Sequence, residues 1–153
     1  MSVVLLTGMS GTGKSTLLKH LKDDGNVTVD LDYGGWMIYH DDSGEYILDV
    51  ARVIELIRSR SEENIFLAGT AVNQGQIYPY LDAVVTLTAP LHVMKERIMQ
   101  RTDNPFGRSD SEWRKIVQDK EDFEALIIKG SDLTIDTTQP VTDTIDEIYR
   151  YIK

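Results

Sequence analysis

At 153 residues, with 41% hydrophobic and 27% charged side chains, the chain is long enough to bury a core as one domain, 1–153, without disulfides or metal staples. It has no cysteine, which excludes a disulfide framework and any thiolate metal site and fits a reducing, cytoplasmic setting. A net charge of −9 disfavours nucleic acid and anionic membranes as partners and leaves a small molecule as the natural one.

No apolar run approaches the ~20 residues of a membrane span. Val3-Val4-Leu5-Leu6 is too short for a signal peptide and leads directly into a functional loop. His20, His40 and His92 have no metal-ligand spacing.

Strand and helix signals alternate along the chain, predicting a layered α/β fold with a mainly parallel sheet. Residues 2–7 form a short apolar run, fit for a central strand buried on both faces. A helix follows from 14 to about 24, with Leu17, Leu18 and Leu21 on one stripe and Gly25 closing it. Residues 27–31 read as the second strand. A helix is predicted over roughly 46–60, where Ile47, Val50, Ile54 and Ile57 are spaced for one buried face.

Residues 64–68 and 83–87 read as the third and fourth strands, with a loop rich in Gly, Asn and Gln between them. Pro90 suits the first position of a helix running to about Arg101. Asp103-Asn104-Pro105-Phe106-Gly107 breaks that pattern. Ser109-Asp110-Ser111-Glu112 reads as a capping box opening a helix that carries Trp113, Ile116, Val117, Phe123 and Ile127. Residues 133–135 make a fifth strand, and Ile145, Ile148, Tyr149 and Ile152 stripe a last helix.

Between the first strand and first helix lies a complete G-x-x-x-x-G-K-[ST] pattern, Gly8-Met9-Ser10-Gly11-Thr12-Gly13-Lys14-Ser15, followed by Thr16. Gly8, Gly11 and Gly13 allow the backbone to bend with its N–H groups turned inward on phosphates. The helix behind adds the positive end of its dipole. Lys14 is expected to reach the β- and γ-phosphates, and Ser15 to offer its hydroxyl to Mg²⁺. This pattern establishes nucleotide binding and leaves the reaction open.

Asp30-Leu31-Asp32 ends the second strand, where ligands gather in an open parallel sheet. Alternation puts both carboxylates on one side. One would accept the proton of an attacking hydroxyl while the other holds a metal-bound water. Asp32, nearer the tip, is the choice for the base and Asp30 for the metal. Tyr33, Trp36, Met37 and Tyr39 follow, as a face for a ring-shaped acceptor or as local packing.

Arg97 and Arg101 are four apart on one helix face, and Arg108 follows across the Pro-Phe-Gly turn. Together they suit a lid around 101–110 that neutralises charge on a transferring phosphoryl group. The alternative is a solvated helix face paired with Glu96. The third strand ends without the acidic residue that a mechanical ATPase places there. Nor is there an Asn-Lys-x-Asp stretch for guanine, which favours ATP.

The GMSGTGKST loop, the DLD strand end, the R-x-x-x-R helix with NPFGR, and the late IDTTQP segment together resemble the adenylate-kinase-like small P-loop kinases, including shikimate and gluconate kinases. The resemblance covers nearly the whole chain; its first motif is specific. It implies a P-loop NTPase fold, a three-layer sandwich whose five-stranded parallel sheet has the order 2-3-1-4-5. It also implies ATP and Mg²⁺ as donor and cofactor, and a lid that closes over the phosphates. Thr138, Gln139 and Pro140 fall where that group contacts adenine, Asp32 matches its substrate-side aspartate, and Arg97, Arg101 and Arg108 fall near its lid arginines.

The chain departs from that group on the acceptor side. Between Asp32 and Gly69 only Arg52, Arg58 and Arg60 could grip an anionic acceptor, and all lie on or just after a predicted helix. The neutral loop Gly69-Thr70-Ala71-Val72-Asn73-Gln74-Gly75 suits a hydroxylated or amide-bearing acceptor better. The leading expectation is an ATP-dependent kinase acting on a hydroxyl of a small metabolite: a sugar, nucleoside or aminoglycoside-like compound. The alternatives are a nucleoside monophosphate kinase and a non-kinase regulatory module; an RNA-end kinase fits an acidic chain poorly.

Overall fold

The computed structural model describes residues 2–60, 62–102 and 104–153. Its centre is a five-stranded sheet ordered β2-β5-β1-β6-β7, formed by β1 (Val3–Thr7), β2 (Val27–Asp30), β5 (Ile65–Ala68), β6 (Ala83–Thr88) and β7 (Leu133–Asp136). All neighbouring strands run parallel, with Leu5 opposite Leu67 on one side and Val84 on the other. Counting these five along the chain gives the order 2-3-1-4-5 that the family resemblance implies.

Parallel pairing needs crossovers, and helices supply them on both faces. On one face Val4, Leu6, Phe66, Val85 and Leu87 meet Leu17, Leu18 and Leu21 of α1 (Lys14–Asp23) and Ile145 and Ile148 of α5 (Val141–Ile152). On the other, Leu5, Ile65, Leu67 and Val84 meet Val53 of α2 (Val50–Ser59) and Ile77 of a 3₁₀ segment, Gln74–Tyr80. Successive residues of β1 therefore serve opposite faces, which is why the strand reads as an unbroken apolar run. A third cluster, of Met9, Ala89, Met94, Ile98 and Ile116, joins the phosphate loop to α3 (Leu91–Gln100) and α4 (Asp110–Lys129).

The structure corrects the helix expected over 46–60. Glu45–Leu48 is instead a strand, β4, paired antiparallel with β3 (Met37–His40), and the helix begins only at Val50. Asp49 is the reason: its side chain accepts the Arg52 N–H at 3.2 Å as an N-cap. Its own N–H donates to the Trp36 carbonyl at 2.7 Å and closes the hairpin base. Ile47, counted towards the helical stripe, pairs with Ile38 across the hairpin. The Asn73 amide clamps the same end of β4, meeting Leu48 N–H at 2.8 Å and Leu48 C=O at 3.0 Å.

Two smaller differences concern caps. Pro90 is the N-cap of α3 rather than its first helical residue. Ser109 caps α4 by accepting the Glu112 N–H at 3.2 Å, but the Glu112 carboxylate accepts from the Gly107 N–H and the Ser109 hydroxyl, not from the Ser109 backbone. Phe123, expected on the buried stripe of α4, is exposed. Asp103, part of the predicted pattern break, lies outside the described residues.

Candidate active site

The phosphate loop leaves the C-terminal end of β1 with no room for side chains at two points. A methyl group on Gly8 (φ +144) would lie 2.3 Å from the Leu87 carbonyl oxygen, and one on Gly11 (φ +84) 2.8 Å from that of Met94. Only glycine tolerates both the backbone and the contact. The Thr12 hydroxyl is buried and donates to Met9 O at 2.7 Å, so it shapes the loop from within. From behind, the Thr70 hydroxyl at the tip of β5 donates to Gly8 O at 2.7 Å and accepts the Gly8 N–H at 3.1 Å. Thr7 and Gln74 extend this buried polar network. A hydroxyl thus stands where a Walker B strand would end in a carboxylate.

The loop faces a cavity of about 520 Å³, lined by Ser10, Gly11, Gly13, Lys14, Ser15 and Thr16. The sheet order places the loop after β2 on one flank and the loop after β7 on the other. Asp32 and Tyr33 line the first flank; Thr137, Gln139, Val141 and Thr144 line the second. Arg97, Gln100, Arg101 and Asn104 complete the wall from α3 and the segment after it. Of the aromatics after Asp32, only Tyr33 lines the cavity. Trp36 and Met37 pack on the core, and Tyr39 meets Tyr46 edge to face at 5.4 Å on the hairpin.

Lys14 donates to Gly8 O at 2.6 Å and Met9 O at 2.9 Å. Burial pulls its pKa down to about 8; Asp32 and Asp30 pull it back up, and Arg101 adds to the lowering. The Asp32 carboxyl is held above the usual carboxylate range, by desolvation first and by Asp30, with Lys14 acting in the other direction. Asp30 accepts the Ser15 hydroxyl at 3.3 Å and the Asp32 N–H at 3.1 Å. One carboxylate therefore touches the loop while the other reaches the cavity.

The arginines divide. Arg97 is tied down, donating to Gly11 O at 3.3 Å, Thr137 Oγ1 at 2.8 Å and Thr137 O at 2.6 Å. Thr137 in turn donates to Thr12 O at 2.7 Å, so the pair staples the phosphate loop to the β7–α5 loop. Arg101 bonds to Asn104 O and Phe106 O while lining the cavity. Arg108 does not line it: its guanidinium donates to Ile98 O and Arg101 O at the open end of α3. Such carbonyls have no helical partner, and a cation nearby satisfies them.

Gln139 lines the cavity, whereas Pro140 caps α5 and Thr138 turns to Asp136. Thr137, Thr144 and Gln100 are cavity residues that sequence reasoning passed over, while Asn104 falls in the lid expected around 101–110. Thr137 lies inside the IDTTQP segment, one residue before those singled out, and strand alternation at the end of β7 is the signal that could have found it. Between Asp32 and Gly69, Arg52 stacks 4.0 Å from the Trp36 ring and donates to Gly34 O at 2.9 Å. Arg58 lies 5.9 Å from the Tyr80 ring, and Arg60 pairs with Glu63 at 3.6 Å.

Residues 4–128 match a family model described as AAA domain. No curated protein matches the sequence. Among solved structures, shikimate kinase from Acinetobacter baumannii in complex with shikimate superposes with a TM-score of 0.67 at 19% identity, over 99% of this chain and 93% of that one. A gluconokinase from Sinorhizobium meliloti 1021 gives 0.60 at 18% identity, over 99% and 91%. Deoxyadenosine kinase from M. mycoides, with dCMP and dCDP bound, gives 0.58 at 16%, over 97% and 96%. The chain belongs to the AAA domain family and has the fold of the small P-loop kinases.

Proposed function

We propose that this protein is a phosphotransferase that moves the γ-phosphoryl group of ATP onto a hydroxyl of a small neutral or cationic metabolite, such as a sugar, nucleoside or aminoglycoside-like compound. The observation that carries this reading is one cavity holding a complete phosphate loop, Lys14 and Ser15 together with Asp32, a carboxylate of raised basicity. The acceptor oxygen forms its bond to the γ-phosphorus as the bond to the bridging oxygen breaks. ADP leaves, and the acceptor proton passes to Asp32.

Lys14 and the loop N–H groups hold the phosphates; Arg97 and Arg101 offset charge on the transferring group. The segment around 101–110 acts as the lid through Arg101 and Asn104, which already line the cavity. Arg108 contributes by holding the backbone of Arg101.

Ser15 Oγ and Asp30 Oδ2, 3.3 Å apart, are hard oxygen donors of the kind Mg²⁺ takes. Among the described residues no group of three His, Cys, Asp or Glu gathers elsewhere, so that hydroxyl, that carboxylate and the phosphates would hold the ion. When bound, Mg²⁺ neutralises charge on the β- and γ-phosphates.

A neutral or cationic acceptor is favoured because Arg52, Arg58 and Arg60 are all engaged by neighbours. A nucleoside monophosphate kinase would need cations there for the acceptor phosphate. No helix among the described residues is long and apolar enough to cross a membrane. The acidic net charge supports a small-molecule partner over an anionic lipid surface or nucleic acid.

The test is Asp32→Asn. It should bind ATP as the native protein does while losing about 10²–10⁴-fold in acceptor-stimulated ADP release. Undiminished release would reject Asp32 as the base.

A further inference from the structure

Gly8 O takes two donors at once, the Lys14 ammonium at 2.6 Å and the Thr70 hydroxyl at 2.7 Å. The direction of each bond behind Thr70 follows from which groups can only donate and which only accept. Thr70 has one hydroxyl proton, and it goes to Gly8 O, because two bare oxygens would otherwise face each other. The Gly8 N–H only donates, and it takes one Thr70 lone pair at 3.1 Å. Thr7 Oγ1, 3.0 Å from Thr70 Oγ1, is then the donor between the two hydroxyls. The Ala71 N–H donates to Gln74 Oε1 at 2.9 Å. That turns the Gln74 NH₂ towards Thr7 Oγ1 at 3.2 Å and Tyr78 OH at 2.8 Å. A one-way chain therefore runs from Gln74 through Thr7 and Thr70 to the carbonyl that holds Lys14, and bonds aligned in this way reinforce one another.

Gly8 is buried, so both its backbone groups need partners, and Thr70 supplies one to each. The Lys14 ammonium has three protons, and two rest on Gly8 O and Met9 O. The set of those two carbonyls decides where the third proton points. Met9 O is steadied by the Thr12 hydroxyl at 2.7 Å, and Gly8 O by Thr70. We propose that Thr70 is a positioning residue for phosphoryl transfer: by holding both backbone groups of Gly8 it fixes the seat of Lys14 and so aims the ammonium at the phosphates. The inference rests on the nucleotide site proposed above and gives a role to the residue at the tip of β5. With its proton and both lone pairs spent, Thr70 acts through the loop rather than on the ligand.

Calorimetric titration with the magnesium salts of ATP and of inorganic tripolyphosphate tests this. Thr70→Val keeps the shape and removes the hydroxyl, and should weaken both ligands on the order of tenfold. The factor should be the same for the two, because Lys14 meets phosphates and not the base. Thr70→Ser keeps the hydroxyl and should bind both as the native protein does. Thr7→Val removes a buried hydroxyl next to Gly8 but leaves both Thr70 bonds to Gly8 in place, and its affinities should stay within about threefold of native. If Thr70→Val does not fold, as judged by circular dichroism, Thr70→Ala carries the same expectations.

Native affinity in Thr70→Val overturns the inference, as does a loss in Thr70→Ser equal to that in Thr70→Val. An equal loss in Thr7→Val also overturns it, since the effect would then belong to the buried network and not to the seat of Lys14. Failure of the native protein to bind either ATP or tripolyphosphate is a separate result, and overturns the nucleotide site together with the inference.

Discussion

Within the phosphate loop the Lys14 ammonium rests on two carbonyls of its own loop, 2.6 and 2.9 Å away, and has a pKa of about 8. Phosphates favour the charged form, so bound nucleotide raises that value. Below pH 8 the lysine is already protonated, and affinity should not depend on it. Above pH 8 binding must take up a proton, so ATP affinity should fall, by up to tenfold per pH unit. Titrations from pH 7 to 9.5 check this; a flat profile would contradict it, and Lys14→Arg should remove the slope. The Lys14 pattern was legible from the sequence because glycine spacing and a lysine suffice to define it. The three arginines were legible only in part. A four-residue spacing put Arg97 and Arg101 on one helix face, but nothing in it reveals that Arg108 turns to the end of α3 or that Arg97 is bound to Thr137.

The elements around the site are held by a few polar bridges with separable effects. Arg97 joins the phosphate loop to the β7–α5 loop through three acceptors. Arg97→Ala should cost about 2 kcal/mol of stability in urea unfolding and weaken ATP binding even without an acceptor. Undiminished stability would contradict the staple. Asn73 holds β4 through both backbone groups of Leu48, so Asn73→Ala should cost about 1–2 kcal/mol with little change in ATP affinity. A large loss of ATP affinity would contradict that separation. The hairpin itself escaped sequence reading because Ile47, Val50, Ile54 and Ile57 fit a helical period. Asp49, a capping residue inside that window, was the signal that the helix began later.

Across the whole molecule, the parallel sheet was readable from short apolar strands alternating with amphipathic helices. Its strand order was not, because a buried apolar strand carries no mark of which neighbour it pairs with; the order came from the resemblance to small P-loop kinases. That order places Asp32 and Gln139 on opposite flanks of the phosphate loop. Ligand binding to this arrangement should stabilise the fold by mass action, about 2.7 kcal/mol at a hundredfold excess of ATP and Mg²⁺ over Kd. An unchanged unfolding midpoint at that excess would contradict it. The most direct test of the kinase reading is the initial rate of ADP release from ATP and Mg²⁺, with and without a panel of sugars, nucleosides, aminoglycosides and nucleoside monophosphates, using Lys14→Ala as the blank. The account predicts stimulation by one hydroxyl-bearing class without a phosphate; stimulation by the monophosphates, or tight ATP binding with no stimulation at all, would contradict it.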